Sequence, residues 1–288
     1  MTSATTRPAA RLARLLDDFS LEMTGKDTEE LPAARPLLPA GTRINVTFLG
    51  NEDLPLRRTA ARAVRDSGFT PVPHVSARRL ASAGALTAFL AALRDDGTQS
   101  EIFTVGGDPA EPHGPYPDAL SLIDSGLLEA FGVRHVGIAG YPEGHPGIPA
   151  TTLATALATK VGALRDRGLS GEIITQFGFD VDPVLDWIAR LRQSGVDVPV
   201  RVGVPGPAGV RRLLRFAARM GVGTGASIAR KYGLSLTNLM STAGPDRFLQ
   251  TLATDYHPEV HGDVRLHFYT FGGLRATSEW IHDFRKDT

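Results

Sequence analysis

A chain of 288 residues with 31 Lys and Arg against 31 Asp and Glu has a formal net charge of zero. No overall field draws such a molecule to nucleic acid or to an anionic membrane surface. The absence of cysteine excludes disulfides, thiolate nucleophiles and thiolate metal ligands, and leaves redox chemistry to a bound cofactor.

Near the N-terminus, Arg7, Arg11 and Arg14 accompany Leu12, Leu15, Leu16 and Phe19 at helical spacing, while Asp17 and Asp18 interrupt any apolar run. The spacing predicts a short amphipathic helix and not a signal peptide. The first strand signal follows as FSLEM (19–23), then RINVTFLG (43–50), the helix pattern LPLRRTAARAVRDSG, and TPVPHVS (70–76). ALTAFLAALRDDG reads as a helix whose apolar face is far shorter than the roughly 20 residues that span a bilayer. A soluble, cytoplasmic protein is expected. EIFTVGGD (101–108) and HVGIAGYP (135–142) come next, then the helix TTLATALATKVGALRDRG, the strand GEIITQFGFD (171–180), the helix PVLDWIARLRQSG and the strand PVRVGVPG (199–206). VRLHFYTFG (264–272) is the eighth strand signal. Several of the helix patterns end in Gly, as helices commonly do.

Eight strands alternating with helices and lacking hairpin signals favour parallel pairing covered on both sides. The predicted fold is a single (β/α)8 TIM barrel, one domain over residues 1–288, with extra helices between the seventh and eighth strands and a short N-terminal helix. GVGTGA (221–226) follows the helical RRLLRFAARM instead of a strand, so it is a poor dinucleotide fingerprint. HPEVH (257–261) lacks the order of a zinc helix and reads as a solvated loop, and no G-x-S-x-G elbow is present.

In a barrel the site is built where strands end. Glu22, Thr47, His74, Asp108, Gln176, Asp180, His267 and Tyr269 all fall at such ends, and GYPEGHP adds Tyr141, Glu143 and His145. Each alone has a structural explanation: a helix cap, a core histidine, a side chain filling the mouth. Together they make one polar rim, and buried polar groups are costly unless paired, so a shared ligand site is the better reading. Gly-rich endings in VGGDP, VGVPGPAG and TFGG allow close approach to the backbone, which suits a phosphorylated substrate or a nucleotide cofactor.

The ordered series SLEM, VTF, PHVS, GGDP, GYPEGHP, ATKV, IITQFGFD, VGVPG and HFYT resembles the methylenetetrahydrofolate reductase family from about residue 19 to residue 271. The resemblance implies an FAD-containing barrel that passes a hydride from NADH or NADPH to the methylene carbon of 5,10-methylenetetrahydrofolate, giving 5-methyltetrahydrofolate. It implies cofactor contacts from Thr47, His74, Asp108, Tyr141, His145 and Lys160, and substrate contacts from Gln176, Phe177 and Tyr269. Glu22 would be the general acid and Asp108 the ionised carboxylate beside the developing cation. FSLEM surrounds Glu22 with apolar neighbours in sequence, and an apolar setting favours the proton-bearing form of a carboxyl. The chain departs from the family pattern after Glu22, just before Gly107-Asp108 and after the eighth strand. A flavin-poor enzyme that keeps the pterin site or runs chiefly as a 5-methyltetrahydrofolate oxidase in a demethylation pathway, a non-catalytic folate- or flavin-binding barrel, and an unrelated barrel lyase or isomerase acting on a sugar phosphate are the alternative readings. Trp187 and Trp280 fit either core packing or a subunit contact in a homo-oligomer.

Overall fold

A computed structural model describes residues 8–48, 50, 52–220 and 242–287. The N-terminal helix forms as α1 (Pro8–Leu15), burying Leu12 and Leu15. Every expected barrel strand is present: β1 (Phe19–Met23), β2 (Arg43–Val46), β3 (Thr70–Ser76), β4 (Glu101–Val105), β5 (His135–Gly140), β6 (Ser170–Thr175), β7 (Val200–Pro205) and, last in the chain, β10 (Val264–Tyr269). They pair in parallel and close into a barrel in the order β1-β2-β3-β4-β5-β6-β7-β10. Several are shorter than their sequence signals, because the polar and Gly-rich tails lie beyond the last ladder pair. Thr47, Gly106 to Asp108, Tyr141 and Gln176 therefore stand on loops at the C-terminal face.

The connecting helices are α2 (Leu31–Ala34), α3 (Leu54–Asp66), α4 (Ala83–Asp95), α5 (Ala119–Asp124), α6 (Leu127–Ala130), α7 (Ala150–Asp166) and α8 (Val181–Gln193). Their ends follow local chemistry. Asp53 and Ser82 cap α3 and α4 by accepting from the backbone of Leu56 and Ala85. Asp180, one of the rim residues, caps α8 by accepting from the Asp182 amide at 3.3 Å. Between β7 and β10 lie the two-residue strands β8 (Ala208–Gly209) and β9 (Thr242–Ala243) and the helices α9 (Val210–Met220), α10 (Asp246–Asp255) and α11 (Pro258–His261). These are the extra helices expected there; GVGTGA falls at 221–226, outside the described residues. The last helix is α12 (Leu274–Lys286). Among the described residues no helix is long and apolar enough to cross a membrane.

Strand alternation sorts the side chains into two environments. Outward residues such as Leu21, Ile44, Val202 and Phe268 join the helices in the main core. Trp187 and Trp280, both partly buried, pack against this core. Inward residues form layers. At the N-terminal end Arg201, fully buried, donates to Glu172 at 2.7 Å and to Asp18 at 3.1 Å, and Asp18 also accepts from Arg43 and Arg265. Above this lies a small apolar plug of Val72, Phe103 and Ile174. The mouth comes next. Arg11 ties α1 to the far side by donating to the carbonyls of Ala253 and Thr254 on α10.

HPEVH departs from the solvated loop expected for it. His261 is buried, closes the one-turn helix α11, and its Nδ1 accepts from the His257 amide at 3.0 Å, while His257 stays exposed. Proline at the first helical position makes the turn possible, since its missing N–H would be unpaired there in any case.

Candidate active site

Two inward positions of β1, Ser20 and Glu22, face β10. His267, almost completely buried, is held between them, with Ser20 Oγ 2.8 Å from Nδ1 and Glu22 Oε2 3.2 Å from Nε2. With the proton on Nε2 the ring donates to the carboxylate and accepts from the serine hydroxyl. The register brings this about: Ser20 stands opposite His267 in the β1–β10 ladder. The apolar neighbours Leu21 and Met23 do not surround the Glu22 carboxyl, as FSLEM suggests, because they point outward into the helical core. Its side-chain partner is an imidazole, and its side chain is 20% exposed at the mouth.

Across the mouth, His74 on β3 is buried, with Nε2 3.3 Å from Asn45 Nδ2. Burial pushes its pKa down to about 4, the charge of Glu22 opposing this and those of His267 and Arg57 adding to it. His74 is a neutral hydrogen-bonding group at neutral pH. Thr47 Oγ1 is buried without a hydrogen-bond partner among the described residues. Below it Arg57 is stacked over Phe48, 3.9 Å from the ring centroid, and donates to the His74 carbonyl. Its pKa is lowered to about 10 by burial, which Glu52 partly offsets.

The GYPEGHP stretch is a turn at the end of β5. Pro142 fixes the entry, Gly144 takes φ +85°, and the Gly144 amide donates back to Tyr141 O at 3.1 Å. Pro142 to Gly144 rest against Gln176 to Gly178 of the neighbouring loop. Tyr141 meets the His145 ring edge-on at 5.3 Å. Burial raises the Tyr141 pKa, and the Asp108 charge adds to it. His145 itself is exposed and its Nδ1 accepts from the Gly147 amide.

Tyr269, on β10, donates to the Thr175 carbonyl at 3.0 Å, and its pKa is driven well up by burial and then by Glu22 and Tyr141. Phe177 is buried within an aromatic cluster of Phe179, Tyr269 and Phe271, in the main core beside the end of β6. Gln176 Oε1 accepts from the Phe177 amide at 3.1 Å, leaving its NH2 group to face other partners. Asp108 stands at the outer rim, paired with Arg79 at 3.2 Å.

Glu22, Thr47, His74, Asp108, Tyr141, Gln176 and Tyr269 thus surround one mouth. Lys160 is set apart, midway along α7, where burial lowers its pKa against the charge of Asp118 at the start of α5. It makes no salt bridge among the described residues. Sequence reasoning does not single out Ser20 or Arg79. The two-residue step from Ser20 to Glu22 is the available signal for the first, and no local signal exists for the second.

Fold and side chains together define a (β/α)8 barrel protein with a ring of polar and titratable groups at its C-terminal face. The chain belongs to the methylenetetrahydrofolate reductase family, whose sequence profile matches residues 39–283. Methylenetetrahydrofolate reductase 2 of Saccharomyces cerevisiae is 38% identical over 90 residues, 30% of this chain and 14% of that protein. Methylenetetrahydrofolate reductase (NADH) 1 of Arabidopsis thaliana is 30% identical over 145 residues, 44% of this chain and 24% of that protein. The matched stretches thus cover less than a quarter of the length of these curated relatives. A crystal structure of dihydropteroate synthase from Thermus thermophilus aligns over 94% of this chain and 95% of its own, with a TM-score of 0.48 at 15% identity.

Proposed function

We propose that the chain is an FAD-dependent 5,10-methylenetetrahydrofolate reductase that uses NADH or NADPH and forms 5-methyltetrahydrofolate. The observation that carries this reading is the Ser20–His267–Glu22 line at the mouth of a barrel of this family. Opening the five-membered ring of the substrate requires a proton on the nitrogen that leaves the methylene carbon, and a carboxyl at the mouth can give it. Glu22 has the exposure to reach substrate. His267 and Ser20, behind it, hold the carboxyl in one orientation, and its solvent-facing edge can regain a proton from water after each turnover.

The residues present fit a flavin. The partnerless Thr47 hydroxyl needs a polar group from a ligand, His74 offers a neutral ring nitrogen, and Lys160 is a cation without a carboxylate on it among the described residues. Tyr141 and His145 complete the set on the β5 side. Bound FAD would supply the hydride relay between nicotinamide and the methylene carbon. Gln176 would bond the edge of the pterin, Tyr269 and Phe177 would lie beside the substrates, and Asp108 would face the cation that forms when the ring opens, which an ionised carboxylate stabilises.

The test is spectroscopic. The purified protein should take up FAD, the visible flavin bands should bleach anaerobically with NADH or NADPH, and 5,10-methylenetetrahydrofolate should restore them with formation of 5-methyltetrahydrofolate. NADH, which the name of the Arabidopsis relative specifies, is the first reductant to try. Failure to bind flavin, or bleached flavin that the folate cannot reoxidise, would falsify the assignment.

A further inference from the structure

The loop after β4 carries Asp108 on an exposed arm: its side chain is 85% exposed, and an unrestrained carboxylate there would sample several rotamers. Its partner is of the opposite kind. Arg79, at the end of the single turn Ala77–Arg79 after β3, is only 20% exposed and reaches Asp108 Oδ2 with Nη2 at 3.2 Å.

Two features hold the Arg79 guanidinium in place. Its Cζ lies 5.3 Å from the centroid of Phe48, whose ring is also stacked on Arg57. It also occupies the space beside Gly50, where a Cβ would come within 2.5 Å of Nη2. The preceding residue fixes the rest of the loop. Arg78 donates to Pro117 O at 2.7 Å and to Pro109 O at 3.2 Å, and its carbonyl accepts from the His113 amide at 2.8 Å. Gly107 lets the chain turn into this position at φ +97°, packed so closely on Ser76 that a Cβ would lie 2.2 Å from its hydroxyl.

We propose that Arg79 is a positioning residue for Asp108, a buried-stem guanidinium on the β3 loop that fixes the direction of the carboxylate on the β4 loop. An exposed ion pair of this kind adds little to stability. Its consequence is orientation: Arg78 already joins the two loops through Gly106, Pro109 and His113, and the Arg79 contact adds a fixed direction for the carboxylate. This rests on the reductase reading for its effect on turnover, though not for the contact itself.

The experiment compares Arg79→Ala, Arg79→Lys, Asp108→Asn and the Arg79→Ala/Asp108→Asn double variant, with native circular dichroism as the requirement for each. In anaerobic stopped-flow, Arg79→Ala should slow folate-driven reoxidation by about 10- to 100-fold, the range expected for a misplaced reacting group, with flavin bleaching by NADH near wild type. Arg79→Lys should recover part of the rate. The double variant should be no slower than Asp108→Asn alone, because a positioning residue has nothing left to position. Gly50→Ala, whose methyl group would displace the guanidinium, should reproduce part of the Arg79→Ala defect. A near-wild-type Arg79→Ala rate, or effects that multiply in the double variant, overturns the proposal.

Amide hydrogen exchange over residues 106–113 of the flavin-free protein separates this from the reductase reading. If the wild type shows no folate-driven reoxidation, that reading fails. Faster exchange in Arg79→Ala, matched by Asp108→Asn and not exceeded in the double variant, would still establish the contact, and unchanged exchange would remove it.

Discussion

Glu22 draws its chemistry from neighbours that are distant in sequence. The carboxylate faces His267, and Ser20 completes the line two residues earlier on the same strand face. In Glu22→Gln, a change that keeps the shape and deletes the transferable proton, bleaching of the flavin by NADH should persist. Reoxidation by 5,10-methylenetetrahydrofolate should fall by about 10²–10⁴-fold, the usual loss for a general acid. Normal folate-driven reoxidation in paired anaerobic half-reactions would move the role to Asp108 or to a bound water. Gln176 is expected to act on the same, folate side of that comparison. Its amide can both donate and accept, as a pterin edge requires, so Gln176→Ala should weaken folate binding and leave flavin reduction intact. A slow reductive half-reaction with normal reoxidation would count against that role.

At the scale of elements, β6 and β7 are joined in an unusual way near the mouth. Their ladder contains only the pairs Ile173 with Val200 and Ile174 with Arg201. Beyond these the Thr175 hydroxyl accepts from the Gly203 amide at 2.8 Å, and the Tyr269 ring fills the space above Gly203. A Cβ at Gly203 would lie 2.4 Å from Thr175 O and 2.8 Å from Tyr269 Cε2. Gly203→Ala should therefore destabilise the fold by about 1–3 kcal/mol or more, as overpacking does, and should break the Tyr269–Thr175 hydrogen bond. Urea unfolding measures the first, and a shift in the tyrosine ultraviolet difference spectrum the second. A variant as stable as wild type would mean that β6 and β7 can separate freely here. On the β5 side, replacing His145 and Lys160 together by Ala should weaken flavin retention without changing the circular-dichroism spectrum, since one is exposed and the other stands on an already formed helix. Unchanged flavin content in the folded double variant would place the phosphates elsewhere.

The whole molecule should lose stability in acid in two stages. His74 stays neutral down to about 4 when folded, against an ordinary value of 6.5. Between those values the unfolded chain binds the additional proton, so stability is full above pH 6.5 and declines toward pH 4, by up to about 3 kcal/mol. Glu172 continues the decline. Burial raises its pKa, but His135 and Arg201 outweigh that and bring it to about 2 from 4.5. Its contribution, again up to about 3 kcal/mol, is present above pH 4.5 and lost as the pH falls toward 2. Urea midpoints measured from pH 7 to pH 3 should show both stages, and His74→Asn should flatten the upper one. Glu172→Gln, which leaves the fully buried Arg201 with Asp18 as its remaining carboxylate, should cost about 3–5 kcal/mol at pH 7. A pH-independent midpoint would mean that neither group differs between the folded and unfolded chain.

By itself the sequence determined the alternation of strands and helices, hence the barrel, because short apolar runs and 3.6-residue patterns are local and survive any rearrangement of neighbours. It also determined that polar groups gather at strand ends, since position along a strand is a local property. The family resemblance in PHVS, GYPEGHP and IITQFGFD rested on the same local order. Facing and pairing were left to the tertiary structure. Whether Glu22 faced His267 inside the barrel or the surrounding helices depended on which side of β1 turned inward, and on a β1–β10 register set by residues about 245 positions apart in the chain. His261 looked solvated until a proline-started turn buried it. Arg79 and Asp108 lie on different loops and became partners only when β3 and β4 paired and brought those loops side by side. Direction, register and closure are properties of the assembled sheet, and hydrogen bonds between side chains cannot be read until they are fixed.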